Sequence, residues 1–289
     1  MSTASVFHSG SVQWAAGPVS FELTSPDPAV LERARIVFGP WLNGAGTQPP
    51  RTRFLVEVDR ARGGDRWRVV RDGCEEKTAE TLDLALAAVE YGAISDLLNP
   101  ESGIVALHAA LLSRNGRGAL LVGPKEAGKS TLACALWCVG WRLHADDSAV
   151  IEDGHRARGI PRRVSLRAQS RELLGTDVWE QVAGLPSTSR TVAGLRFHPH
   201  SSPDGFASVE IAAVIFLARR GSRAEAGQLV PLDAGRALLA LGPYCHRREL
   251  DIGGAIQALQ PLADRVPMFD LGRGELAAMV ARVEEATGT

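Results

Sequence analysis

Nine consecutive residues, Gly123-Pro124-Lys125-Glu126-Ala127-Gly128-Lys129-Ser130-Thr131, match the pattern G-x-x-x-x-G-K-[ST] at every fixed position. That pattern builds a cradle for a chain of phosphates. The two glycines let the backbone curl until successive N–H groups point inward, and a helix leaving the loop adds its positive N-terminal dipole. Lys129 then reaches the β- and γ-phosphates, and the Ser130 hydroxyl is of the type that ligates Mg²⁺. The flanks have the order this chemistry needs. The apolar run Ala119–Val122 leads into the loop, and Ser130–Val139 reads as a helix stopped by Gly140.

Two adjacent carboxylates follow in Arg142-Leu143-His144-Ala145-Asp146-Asp147, with Asp146 seventeen residues past Lys129. Like charges side by side at the end of a strand do little for structure. Beside a triphosphate, one can orient through Mg²⁺ and the other can accept a proton from an attacking hydroxyl. Upstream, His108 lies fifteen residues before Gly123 within the apolar run Ile104–Leu112. A lone strand histidine is commonly a core residue, but a strand neighbouring the cradle ends near the phosphates, which gives His108 a supporting or catalytic role. Downstream, Arg162, Arg163 and Arg167 form a basic cluster whose guanidinium forks suit phosphate or an acidic substrate tail, or else a solvated face. Arg162 and Arg163 are the substrate-binding candidates.

The elements that must position these groups divide the chain in two. Residues 1–98 read as a small β-rich unit: strand-like runs at Val19–Thr24, Arg53–Val58 and Arg66–Arg71, then an amphipathic helix from Glu80 to Leu98 stopped by Asn99-Pro100. Residues 99–289 alternate apolar strands with helices. Their strands are Ile104–Leu112, Ala119–Val122, Arg142–Ala145, Ser148–Ile151, Ile211–Leu217 and Val266–Leu271; their later helices are Ala234–Leu241, Ile256–Ala263 and Glu275–Glu285. The Gly184–Gly205 stretch reads as a long loop, of lid or substrate-binding type. Within it, His198 and His200 flank a proline without a supporting acid, which does not make a metal site.

The 289 residues carry a net charge of −1, with 45% hydrophobic and 22% charged residues. The sequence pI near 6.7 argues against nucleic acid or an anionic membrane as partner. The four cysteines have no metal-knuckle spacing; Cys134 and Cys138 share one helix face as small apolar residues. The first seventeen residues lack a charged n-region and an apolar h-region, so a cytoplasmic protein with reduced thiols is expected.

A histidine, a P-loop fifteen residues on, and Ala-Asp-Asp seventeen past its lysine together resemble the HPr kinase/phosphorylase catalytic domain. The segment Trp141-Arg142-Leu143-His144-Ala145-Asp146-Asp147 is similar to that family's stretch ending in Ala-Asp-Asp, and the match is specific over about 106–151. The resemblance implies an α/β, P-loop kinase-like domain akin to phosphoenolpyruvate carboxykinase, here preceded by a small β-rich domain. It implies Asp146 as the base, Asp147 and His108 tuning that site, and Ser130 with Asp147 on the metal side. Those kinases form rings, so a homo-oligomer is implied as well. Two departures stand out. The family's later acidic magnesium ligand precedes Arg-Gly-x-Gly, whereas here Arg156-Ala157-Arg158-Gly159-Ile160-Pro161 comes too soon and carries arginine where the acid belongs, leaving Glu152 or Asp153 as substitutes. The N-terminal unit also differs from that of the carrier-protein kinases. Ile160–Leu166, Val214–Leu217 and Val266–Leu271 look more like the looser set of HPr-kinase-related proteins, some of which phosphorylate a peptide hydroxyl.

The expected function is therefore Mg²⁺- and ATP-dependent phosphorylation of a hydroxyl on a peptide or small protein. A small-molecule hydroxyl kinase and a nucleotide-gated scaffold without turnover are the alternatives. The lack of an Asn-Lys-x-Asp guanine reader favours ATP. With no arginine finger and no apolar strand leading to a single Asp, a mechanical ATPase is disfavoured.

Overall fold

A computed structural model of the chain describes residues 10–16, 19–39, 49–59, 66–98, 105–152, 154–160, 162–191, 193–199, 207–219, 221–246 and 252–289. They are mixed α/β, with eight α-helices and three sheets among the described residues. They fall into two compact units, one up to Leu97 and the other over the rest of the described chain. No helix among the described residues is long and apolar enough to cross a membrane. His200, Asp153 and Pro161, all singled out above, lie outside the described residues.

The first unit is a five-stranded sheet, β1 (Gly10–Ala16), β2 (Val19–Ser25), β3 (Thr52–Asp59), β4 (Arg66–Arg71) and β5 (Cys74–Ala79), in chain order. β2 and β3 are parallel, as a crossover through helix α1 (Pro28–Val37) demands. The expected strand runs are present, but α1, β1 and β5 were not anticipated. Their signals are local and short. Asp27 accepts from the Ala29 N–H at 2.9 Å as N-cap and Pro28 opens the first turn. Asp72-Gly73, with φ of 46° and 83°, makes the tight turn that folds the polar β5 onto β4. Removing the cap by Asp27→Ala should destabilise this unit by about 1 kcal/mol in thermal unfolding. Helix α2 (Leu82–Leu97) covers the sheet; a Cβ on Gly92 would stand 3.0 Å from the Phe54 ring. Trp14 stacks on Phe38 at 4.6 Å in the core beneath.

In the second unit the central strands are β8 (Arg117–Val122) and β15 (Ser208–Leu217), paired in parallel, with β17 (Met268–Leu271) parallel to the far half of β15. Period-two alternation splits their side chains between two cores. Ala119, Leu121, Ala213, Ile215 and Leu217 face α3 (Lys129–Cys138) and α8 (Leu276–Thr287). Leu120, Val122, Val214 and Phe216 face α6 (Ala234–Leu241) and α7 (Ile252–Arg265). Strands buried on both faces read as continuous apolar runs, which is why these were recognisable in the sequence.

The run expected as one strand, Ile104–Leu112, is instead two. β6 (Val105–Leu107) pairs with β10 (Ala149–Ile151), and β7 (Ala109–Arg114) pairs with β8 and with β9 (Arg142–Ala145). The segment 105–114 thus lies antiparallel to 142–151, interrupted at His108 on one side and at residues 146–148 on the other. The two breaks face each other, since Ala109 N–H donates to the Asp147 carbonyl at 3.1 Å. β11 (Arg156–Gly159), not anticipated, continues the sheet from β10 to β15. A methyl on Gly159 would overlap the His144 carbonyl, so only glycine permits this approach.

The Gly184–Gly205 stretch is not a bare loop where it is described. It holds β13 (Ser189–Thr191) and β14 (Gly194–Phe197), which with β12 (Val164–Arg167) form a small antiparallel sheet. Leu195 and Phe197 turn inward to the α3-side core. Two short helices, α4 (Ser170–Leu174) and α5 (Thr176–Ala183), precede it, and β16 (Leu229–Leu232) edges the main sheet against β17. β13 is wholly polar and β14 has only two apolar residues, which masks this hairpin in the sequence.

Candidate functional site

The glycine-rich loop leaves the carboxyl end of β8 and runs into α3, the crevice position where open α/β sheets place their ligands. Gly123 packs flat against the neighbouring strand: a Cβ there would stand 2.5 Å from the Leu217 carbonyl oxygen. The loop curls through positive φ at Glu126 (70°) and Gly128 (98°). The glycine is free to do this, whereas a non-glycine residue costs about 1–2 kcal/mol in that region. Such strain persists where the surroundings impose it, commonly at ligand sites. Here Ala127 N–H donates to Pro124 O at 3.2 Å, and Arg167 pairs with Glu126 at 2.8 Å.

Lys129, the first residue of α3, turns its ammonium back onto the loop, donating to the carbonyls of Gly123 (2.7 Å) and Pro124 (3.1 Å). It is buried, and desolvation lowers its pKa against the opposing pull of Asp147 and Asp146. Ser130 donates its hydroxyl to Asp146 Oδ2 at 3.0 Å, and the Ser165 N–H donates to the same oxygen at 3.2 Å. Thr131 Oγ1 lies 3.0 Å from Ser170 Oγ and ties α3 to α4. Lys125 and Glu126 are on the exposed rim.

The two carboxylates have separate surroundings. Asp146 is 5% exposed; burial pushes its pKa up to about 6, although the bonds from Ser130 and Ser165 work the other way. Its second oxygen, Oδ1, is buried with no hydrogen-bond partner among the described residues. Asp147 faces the other way. Arg162 Nη1 donates to its Oδ2 at 2.5 Å, and His108 Nδ1 lies 3.2 Å from its Oδ1 and 3.1 Å from its carbonyl oxygen. Burial would raise the Asp147 carboxyl, but the His108 bond and the Arg162 charge outweigh it and hold the group well below the ordinary carboxylate range. One carboxyl is thus poised to change protonation near neutrality, while its neighbour stays ionised. Environments that push two titratable groups apart are how acid–base roles are assigned.

The structure sets two contact groups side by side at adjacent residues, Ser130 with Asp146 and His108 and Arg162 with Asp147, while Lys129 is bound to the loop carbonyls. Ser130 touches Asp146, whereas Asp147, expected on the metal side with Ser130, is held by His108 and Arg162. Arg163, the other substrate candidate, is 2% exposed and donates to Ser189 Oγ at 3.0 Å, toward β13. Glu152 has both oxygens engaged, one with Arg158 at 2.7 Å and the other accepting from Ser208 at 2.5 Å. Cys134 and Cys138 lie on α3, one buried and one exposed.

Two groups at the site carried no signal in the sequence. The Ser165 amide is one, because a backbone donor has no residue signature. His246 is the other. Its N–H donates to Ala106 O at 2.8 Å, its ring meets His108 edge-on at 5.7 Å, and Nε2 lies 3.4 Å from Ser148 Oγ. Burial, then the His108 charge, lower its pKa.

The donor set fits a magnesium–triphosphate. Ser130 and Asp146 present hard oxygens 3.0 Å apart, one bearing a buried carboxylate oxygen without a hydrogen-bond partner. No group of three or more His, Cys, Asp or Glu gathers as a metal site among the described residues. Comparisons of the chain with models of known protein families and with curated proteins give no match.

Proposed function

We propose that this chain is an ATP-dependent phosphotransferase of the P-loop, HPr-kinase-like type that moves a γ-phosphate onto a hydroxyl, of serine or threonine on a peptide or small protein. One observation carries the reading most. A carboxylate with a pKa near neutrality and a buried oxygen without a hydrogen-bond partner touches Ser130 in the first turn of the P-loop helix.

In this reading the loop amides and the α3 N-terminus bind the phosphates, and Lys129 exchanges the Gly123 and Pro124 carbonyls for phosphate oxygens. Ser130 would ligate Mg²⁺, which when bound supplies positive charge against the β- and γ-phosphates. Asp146 holds the Ser130 hydroxyl and takes the proton of the attacking hydroxyl, which its near-neutral pKa suits. Asp147 stays ionised, and with His108 and Arg162 it fixes the floor on which the acceptor lies.

The test is transfer from γ-labelled ATP and Mg²⁺ to lysate proteins, serine and threonine peptides, and small alcohols. Label on protein or peptide is the expected result. Label on small alcohols alone makes the chain a small-molecule kinase. Tight ATP binding with no label anywhere makes it a nucleotide-gated binding protein.

A further inference from the structure

Outside the P-loop, the second unit holds a cavity of about 550 Å³ lined by Arg219, Arg223, Arg236, Leu239, Tyr244 and Asp270, with Val230–Leu232, Ala240 and Pro243 among the remaining lining. Its charge is lopsided. Asp270 is buried and bound at both oxygens by Arg219, Nε to Oδ1 at 2.6 Å and Nη2 to Oδ2 at 2.5 Å. That leaves Arg223 and Arg236 as excess positive charge, in a chain whose net charge is −1. Asp233 stands 3.3 Å from Arg236 and offsets part of its charge, but both side chains are largely exposed, and so weak a pair can yield to an incoming carboxylate.

The apolar part of the lining centres on Leu239, which is 65% exposed on α6. Beside it lie Ala240, Pro243 and Leu232. Arginines over a leucine-bearing surface complement a ligand that carries both carboxylates and an apolar side chain. A nucleotide whose phosphates lie on the P-loop would bring only its base here and leave the arginines unused.

The cavity is coupled to the candidate active site through backbone on two sides. Arg219 stands two residues past Leu217, whose carbonyl closes on Gly123. The Tyr244 backbone carbonyl accepts the His108 backbone N–H at 2.7 Å, two residues before His246, whose ring meets that of His108. The walls of the cavity therefore continue into the P-loop on one side and into the His108–Asp147 pair on the other. A segment lying in it would rest on chain segments that also contact the P-loop and the His108–Asp147 pair.

We infer that this cavity docks an acidic, leucine-bearing segment of the polypeptide acceptor, with Arg223 and Arg236 reading its carboxylates and Leu239 its apolar side chain. The inference rests on the phosphotransferase reading for what is done to the acceptor, but not for its binding.

The test uses the full chain and two pools of serine-centred, fluorescein-labelled peptides, one flanked by Glu and Leu and the other by Lys and Leu. Anisotropy should show the Glu pool binding about tenfold tighter, with the preference lost or reversed in an Arg223→Glu/Arg236→Glu variant. Both arginines are exposed, so the variant keeps its core. In transfer assays with γ-labelled ATP the same loss should appear in KM rather than kcat. Glu-pool binding that depends on the two arginines, without any transfer, supports the docking cavity and sinks the kinase reading. Transfer with no preference between pools overturns the docking cavity and leaves the kinase reading intact. A matching loss of fluorescent ATP-analogue affinity in the double variant would assign the cavity to the nucleotide and overturn it as well.

Discussion

Asp146→Asn should lower phosphoryl transfer by about 10²–10⁴-fold, the usual loss when a positioned acid–base group is removed. Asparagine keeps the shape and can still accept from the Ser130 hydroxyl and the Ser165 N–H, the two bonds that Asp146 Oδ2 receives. It cannot take a proton. Nucleotide affinity, titrated on the same protein without Mg²⁺, should change little, because Lys129 and the loop amides are untouched. A loss of transfer smaller than about tenfold would move the base role off Asp146.

The same variant has a stability signature that needs no substrate. Burial holds the Asp146 carboxyl at about 6 in the fold, against an ordinary value of 3.8. The folded state therefore holds the proton more tightly, which stabilises it below pH 3.8; that contribution is lost as pH rises through 6. Its size is about 3 kcal/mol. Asparagine has no such dependence, so the melting temperature of the variant relative to the wild type should climb between pH 4 and pH 7. Asp147 works in the opposite sense: its depressed pKa stabilises above the ordinary carboxylate range and is lost only at lower pH, outside that window. A flat difference between pH 4 and 7 would show that Asp146 is not desolvated as described.

Gly123→Ala should disable the cradle even though the motif's lysine and serine remain. The new Cβ would stand 2.5 Å from the Leu217 carbonyl oxygen and 3.1 Å from the Ala127 Cβ. The first neighbour is backbone of the central parallel strand and cannot swing aside. Forcing such a contact costs about 1–3 kcal/mol, or roughly 2–12 °C in melting temperature for a unit of this size. The strain is relieved by moving the loop away from β15, which displaces the amides that would meet the phosphates. Nucleotide affinity should fall by about tenfold or more. By contrast, a Cβ at Gly128 meets nothing within 4 Å, and its constraint is the φ of 98° alone. Affinity unchanged in Gly123→Ala would mean that the loop does not depend on its seat against Leu217.

Much of this site was legible along the chain because its chemistry is local. A glycine-rich turn between a buried strand and a helix needs only contiguous residues, and Gly123–Thr131 supply loop, lysine and hydroxyl in one stretch. The apolar strands β8 and β15 showed themselves by being buried on both faces. The acidic pair announced itself because nothing in a strand end calls for two adjacent carboxylates.

What the chain could not disclose depends on long-range approach. Asp146 and Asp147 are neighbours of the same type, and only the fold gives one to Ser130 and the other to His108 and Arg162. The break at His108 arises because 105–107 and 109–114 pair with strands that themselves part at 146–148, so an unbroken apolar run becomes two strands. His246 reaches the site across more than a hundred residues with no motif of its own. Arg162 and Arg163 are adjacent too, yet one pairs with Asp147 while the other is buried toward Ser189. Residue type and spacing specify which groups are able to do chemistry. Burial and hydrogen-bond partners, which exist only after the strands have paired, decide the protonation and task of each.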